Sequence, residues 1–503
     1  MLNEAALALA VVTILAYCLE LLSRALDDPR EPPRLAPRIP IIGHALGFLR
    51  YGFDYYMLTN QAANTGIYML GCLTWKVYIA HDPRVANLLA KSKAISLRPF
   101  LRHAGKLHGT ISDEAYALFD GDLADYFSKR TKELLTPGPA LDDQNLRMAQ
   151  QSLDEVSNMA NKEPTIELFQ WSKRTVMLAT GASLFGAEHP FKNPSIAEAM
   201  WTWDEARPGH IFGFDPWGTG YKARTAVFAA FREYFESIPD DASEVIKERH
   251  RVLREGGLSE EDAYKLQSTL SNAYFNTIPT LFWTIHDIYC RPELLEDIRQ
   301  EVSTKAVQRS RDADNGFVLD IAALQTQCHI LLSALQETQR TRHAQVGMRM
   351  VIEDTLIDGK YFLKKGTALH LPAKSIHRDP SIWGSDAPEY DPYRFVPGYT
   401  GEPKTKVMPT AFLPWGSAPW LCPARQFAAT EILIIVALMV LRVDLSSVDR
   451  EWETQPATKS ISIATLPHPK EDMRLKVSER REGIGSWSVL LGKNKIRISL
   501  SSG

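Results

Sequence analysis

The chain has 503 residues, 45% of them hydrophobic, ample for a large buried core. A net charge of −3 argues against nucleic acid as a partner. Its five cysteines (Cys18, Cys72, Cys290, Cys328 and Cys422) are odd in number, widely spaced and free of any C-x-x-C pair, which excludes a disulfide framework and a zinc site. Length alone suggests several domains, yet no Gly/Ser linker, repeat or low-complexity tract follows residue 40. One large, mostly helical domain over residues 41–503 is expected.

The N-terminal run Ala5 to Leu22 is apolar and would measure about 27 Å as a helix, just enough to cross a thinned bilayer. Glu20 lies near its end and must reach the interface. Arg24, Arg30, Arg34 and Arg38 follow, so the positive-inside bias puts the body on the cytoplasmic side. A cleaved signal peptide fits less well, because Glu4 stands where a basic residue belongs. The reading is a single-pass membrane anchor over residues 1–25. Residues 26–40 are Pro-rich and read as a stiff extended hinge.

Further along, Tyr264 to Tyr289 reads as a long helix ending before Arg291-Pro292-Glu293. It carries Ala273, Asn276 and Thr277 ahead of Pro279, a residue that kinks helices. Ile321 to Arg340 reads as a second helix and closes on Glu337-Thr338-Gln339-Arg340, whose first and last residues share a face and can pair. A polar run, His377 to Pro380, leads to the loop Pro392-Tyr393-Arg394-Phe395. Then comes a segment rich in Pro, Gly and small residues from Phe412 to Arg425, with Trp415, Gly416 and Cys422 in it. An apolar stretch from Phe427 to Leu445 follows. A cysteine at a helix start has its thiolate stabilised by free amide N–H groups and is a soft ligand suited to haem iron.

The E-x-x-R pair, the P-x-R-F loop and the cysteine loop, in that order and at these gaps, resemble the cytochrome P-450 (haem-thiolate monooxygenase) superfamily over roughly residues 35 to 500. The resemblance implies a mainly α fold with small β-sheets, a triangular helical prism around a buried haem b. It implies Cys422 as the axial iron ligand. Glu337, Arg340 and Arg394 would form the buried triad holding the cysteine loop against the haem, with Trp415 and Gly416 in that loop. Arg349 matches the propionate arginine. Arg130, with Tyr126 in place of the usual Trp, is a second propionate candidate, and Arg98 a guess at compensation for the basic residue that Trp420 replaces.

On the oxygen-side helix, counting back sixteen residues from Pro292 lands on Asn276, with Phe275 in the family's acid position, Thr277 one residue late and Ala273 giving space above the iron. Asn followed by T-x-P and F-W is similar to the sterol 7α-hydroxylase and prostacyclin synthase branch. Asn can hydrogen-bond but relays protons poorly. Segments Phe100 to Ala117, Trp201 to Gly213, Ala273 to Phe282, Ala344 to Met350 and Ser486 to Leu491 (with Trp487) would wall the pocket and suit a terpenoid, sterol or polyketide substrate.

The resemblance thus implies a monooxygenase on the endoplasmic reticulum membrane. It would be fed from NADPH by cytochrome P-450 reductase, with cytochrome b5 as a further donor. Its rivals are a redox-independent isomerase or dehydratase at the same haem site and a non-catalytic haem-binding protein.

Overall fold

A helix that is apolar all round belongs in the middle of a protein. That holds for Arg425–Arg442, where every residue from Gln426 onward except Ala428 is buried. The computed structural model describes residues 2–72, 75–310, 315–400, 407–459, 464–492 and 497–501; the side chains of residues 2–6, 8, 9, 72, 269, 271 and 272 are outside that description. In chain order the helices needed below are α1 (Leu2–Ala25), α2 (Arg98–Leu107), α3 (Asp122–Leu134), α4 (Pro139–Lys162), α5 (Leu168–Phe185), α6 (Pro194–Glu205), α7 (Arg207–Ile211), α8 (Thr219–Glu236), α9 (Glu244–Glu255), α10 (Asn272–Tyr289), α11 (Pro292–Lys305), α12 (Ile321–Gln327), α13 (His329–Arg342) and α14 (Arg425–Arg442). α14 packs on α4, α10 and α11, and α10 packs in turn on α5 and α13. One large apolar cluster joins these helices.

The strands are few and short, as the resemblance implies. β1 (Ile67–Cys72), β2 (Trp75–Ala80), β3 (Ile95–Ser96), β7 (Val346–Val351) and β10 (Ala368–Pro372) form one sheet in the order β1-β2-β10-β7-β3. Only the β2–β10 pairing in it is parallel. β4 (Thr165–Glu167), β11 (Val443–Ser447) and β12 (Arg474–Glu479) form a second sheet, β5 (Val307–Arg309), β6 (Gly316–Asp320) and β13 (Ser486–Leu490) a third, and β8 (Thr355–Ile357) pairs with β9 (Tyr361–Leu363).

Two of the expected helices are interrupted. The Tyr264–Tyr289 stretch divides into Glu260–Gln267, a 3-10 turn at Ser268–Ser271 and α10. The Ile321–Arg340 stretch breaks at Cys328. There the Glu301 carboxylate of α11 reaches across and accepts the free N–H groups of Ile330 at 2.9 Å and Leu331 at 3.1 Å. A capping acid supplied from another helix replaces the local cap that sequence would reveal.

The Pro-rich segment turns over residues 26–31 and then bridges to β1 through Arg34 and Met69. Of the anchor, the helix is observed and, among the described residues, a spanning segment is not. α1 is helical, but no helix among the described residues is long and apolar enough to cross a membrane. Part of the anchor reading falls on residues 5, 6, 8 and 9, whose side chains lie outside those described. In the described part, Glu20 is only 5% exposed and its carboxylate accepts the Ile41 N–H at 3.4 Å and faces Arg24. A charged residue turned into the body ties the end of α1 to the hinge.

Candidate active site

Glu337 and Arg340 share a face of α13 because they are three residues apart. Their pairing is bidentate: Arg340 Nε donates to Glu337 Oε2 at 2.8 Å and a terminal nitrogen to Oε1 at 2.7 Å. Both side chains are fully buried. The remaining Arg340 donors go to the carbonyls of His377, Ala387 and Glu389 at 2.7–2.8 Å. Arg394 donates from Nε to Glu337 Oε1 at 3.3 Å and from a terminal nitrogen to Asp386 Oδ2 at 2.8 Å. The three expected triad residues are therefore brought together. A buried charge group on this scale is tolerable only because its donors and acceptors are matched.

The triad reaches the cysteine loop through His377. The Arg340 guanidinium holds the His377 carbonyl, and His377 Nε2 accepts the Leu413 N–H at 2.8 Å. From Leu413 the chain turns tightly: the Gly416 N–H donates to the Leu413 carbonyl, the Trp420 N–H to that of Ser417, and the Cys422 N–H to that of Trp415 at 2.9 Å. Gly416 has φ +82°, a left-handed conformation that glycine adopts without strain. Cys422 ends this loop just before α14. Burial pushes its thiol up, opposed by the Ala424 N–H and the Arg425 guanidinium.

α10 carries the oxygen-side residues. Ala273 and Asn276 are both partly exposed, three residues apart on one face of a helix otherwise buried. Thr277 and Phe275 are buried. The Asn276 Oδ1 accepts two hydrogen bonds at 2.9 Å, from the N–H and the hydroxyl of Thr465. Thr280, one turn on, donates its hydroxyl to the Asn276 carbonyl at 2.6 Å. Trp283 Nε1 donates to the Pro467 carbonyl at 2.7 Å, and His468 packs against Phe169 and Trp201.

Thus Ala464 to His468 lies against the oxygen-side helix, a segment the sequence reading did not pick out. Ser486 to Leu491, proposed as that wall, lies elsewhere. β13 pairs with β6, Trp487 stacks on Phe317 with centroids 4.7 Å apart, and its indole donates to the Gly483 carbonyl. Strand pairing, invisible in the local sequence, takes it to the third sheet.

Of the cation candidates, Arg349 alone faces the cysteine loop. It sits on β7, is 6% exposed, and donates to the Ser417 hydroxyl at 2.9 Å and carbonyl at 3.2 Å. Arg130 is a correction. Its guanidinium on α3 is shared between Glu248 of α9 at 2.7 Å and Glu133 one turn along, on a partly exposed surface. Arg98 is likewise committed to Asp125. Local carboxylates satisfy both.

Comparison with known proteins bears on these observations directly. The family model described as Cytochrome P450 matches residues 240–471. "Cytochrome P450 monooxygenase nodJ" of Hypoxylon pulicicidum is 30% identical over 94% of this chain and 95% of its own length. The chain belongs to the cytochrome P450 superfamily. A "Cytochrome P450 monooxygenase" of Gibberella zeae is 27% identical over 92% of this chain and 91% of its own. The "5-beta-cholestane-3-alpha,7-alpha-diol 12-alpha-hydroxylase" of Sus scrofa is 26% identical over 90% of this chain and 93% of its own. With these relatives, the chain is a P450 monooxygenase.

P450 membership implies a haem held by a thiolate, and the residues present fit one. Cys422 offers its sulfur beside a donating N–H. Arg349 is a buried cation with no carboxylate pairing it among the described residues, and burial pulls it down to about 10. The indole N–H groups of Trp415 and Trp420 are enclosed and lack acceptors among the described residues. Unpaired buried donors are costly. An anionic, planar group seated against Cys422 would give each of them a partner.

Proposed function

We propose that this P450 hydroxylates or otherwise oxidises a hydrophobic small molecule of terpenoid, sterol or polyketide type, with electrons passed from NADPH by cytochrome P450 reductase and cytochrome b5 as an accessory donor. The carrying observation is the apolar wall beside α10, where Phe169, Trp201, Phe275, Phe282 and His468 pack edge to face, tilted or stacked. Such a wall rewards apolar ligands and offers few polar contacts. The printed name of the Sus scrofa relative, a cholestane-diol 12-alpha-hydroxylase, supports the sterol part of this class.

When bound, haem supplies dioxygen activation at its iron, assisted by electron donation from a thiolate. The protein's part is to hold Cys422 rigid through the Trp415 carbonyl, to anchor that loop on the triad through His377, and to place the Asn276 amide at the partly open face of α10. Attachment to the endoplasmic reticulum membrane belongs to the same reading, supported by Val11, Val12, Ile14 and Leu15 of α1, all exposed.

The decisive experiment measures turnover of candidate lipophilic substrates with and without NADPH and reductase, after a reduced carbon monoxide difference spectrum establishes thiolate ligation. Product only in the complete system supports the proposal. A second reading, redox-independent rearrangement of an oxygenated substrate, is favoured by Phe275, a buried phenyl where a proton-donating acid would stand. Turnover independent of NADPH would select it.

A further inference from the structure

α7 crosses the end of α2, and two imidazoles meet there. His108 Nδ1 and His210 Nδ1 lie 3.2 Å apart. His108 is stacked on Trp203 with centroids 4.7 Å apart, and His210 on Tyr221 at 4.4 Å. The Asp215 carboxylate lies 3.4 Å from His210 Nε2 while accepting the Tyr221 N–H at 2.9 Å. It assigns the His210 proton to Nε2, so His210 Nδ1 accepts and His108 Nδ1 donates. A Cβ at Gly220 would fall 2.8 Å from His210 Nε2 and 2.3 Å from Ala206 Cβ, so glycine there makes room for the ring.

We propose that His108 and His210 form a proton-sensitive clasp fastening α2 to α7 across the mouth of the substrate cavity. Placing it at that mouth rests on the proposed substrate reading, in which Phe100 to Ala117 and Trp201 to Gly213 wall the cavity. The contact needs one unprotonated acceptor, and two imidazolium rings at this distance would repel.

The surrounding charges sharpen this. Arg207, paired with Asp204, and Arg224 of α8, which donates to the carbonyl of His108 at 3.2 Å, both bear on His108. Asp215 is the facing acid. On the α2 side, Lys106 is paired with Asp113 and His103 Nε2 sits 3.1 Å from the Ile211 carbonyl. Lys265 is bound to the Thr110 carbonyl at 3.3 Å. Burial, with Arg207 next, pulls His108 down to about 2, and burial also lowers His210. Burial therefore disfavours protons on the closed clasp, while an opened one exposes two ordinary histidines.

At one pH unit below the free value of about 6.5, the freed His108 ring favours opening by a factor of about eleven, and the freed His210 ring adds to it in the same direction. The other ties across this contact are His103 Nε2 at the Ile211 carbonyl and Arg224 at the His108 carbonyl, neither of which loses its partner at pH 5.5. Beyond the clasp, Phe212, Phe214 and Trp217 are 86%, 65% and 81% exposed.

The test is hydrogen exchange by mass spectrometry on the haem-loaded full chain at pH 7.5 and 5.5, corrected for intrinsic rates. Peptides over residues 98–117 and 203–221 are compared with α14. The expected result is an increase of about tenfold or more in both clasp segments at pH 5.5 with α14 unchanged, diminished in His108→Gln and in His210→Gln. Equal corrected rates at the two pH values in the wild type, or an increase undiminished in both variants, overturns the clasp. The wild-type comparison suffices should either variant fail to fold. Because exchange is read without substrate, its outcome is separable from that of the turnover assay.

Discussion

Glu337 grips Arg340 through two hydrogen bonds of 2.7 and 2.8 Å, and neither side chain touches solvent. Removing the carboxylate leaves two guanidinium groups, Arg340 and Arg394, without it in the interior. Breaking one partner of a buried pair costs about 3–5 kcal/mol. Glu337→Gln is expected to fall within that range in denaturant unfolding and to lower the yield of haem-loaded protein. A loss below about 1 kcal/mol would show that the carbonyls of His377, Ala387 and Glu389 hold Arg340 unaided.

Arg349 offers a separable effect, because its partner Ser417 is a neutral group of the cysteine loop. Arg349→Met preserves bulk and removes the buried cation, so the apoprotein should lose little stability. Haem retention should suffer by the worth of a charge-assisted hydrogen bond, about 1.5–3 kcal/mol, roughly a ten- to hundredfold faster transfer to a haem scavenger. Arg349→Lys should lie between. Scavenging rates equal to wild type would remove Arg349 from the haem's surroundings.

How much of this was legible beforehand divides by mechanism. The triad was readable because i,i+3 spacing on one helix and a short loop motif are local features. Cys422, before an apolar helix, was readable for the same reason. Arg130 and Arg98 pair with carboxylates that cation spacing cannot reveal, here Glu248 and Asp125. The break at Cys328 depends on Glu301 in α11, and the Thr465 contact with Asn276 spans 189 residues. Neither leaves a periodic trace. Trp487 carried the right side chain for a pocket wall but the wrong strand partner.

Glu431 in α14 has a buried carboxyl whose Oε1 accepts only the Thr180 hydroxyl at 2.8 Å, while Oε2 and the nearby Tyr274 hydroxyl lack partners among the described residues. Burial pushes it up to about 8 from an unfolded value of 4.5. The native state keeps a proton that the unfolded chain releases above its own pKa, so stability falls as pH rises through that window. The slope contributed is about 1.4 kcal/mol per pH unit, ending near the folded pKa. Glu431→Gln should abolish it and raise the melting temperature at pH 7.5 more than at pH 5. Parallel melting profiles for both proteins would mean the site is hydrated or paired.

Asn276 is both a loop tie and the amide at the open face of α10, and two substitutions separate the roles. Asn276→Ala orphans the Thr465 N–H, whose residue is 7% exposed, costing about 1–3 kcal/mol. Asn276→Asp keeps an acceptor for both Thr465 donors and adds a group able to carry a proton. If the amide acts at the open face, the Ala variant should consume NADPH with little product, and the Asp variant should regain stability with a shifted pH profile of coupling. If Asn276 only fastens the Thr465 loop, the Asp variant should match wild type in product formed per NADPH at every pH. Coupling efficiency between pH 6 and 8, measured beside unfolding midpoints, distinguishes the two because a loop tie has no reason to titrate with turnover.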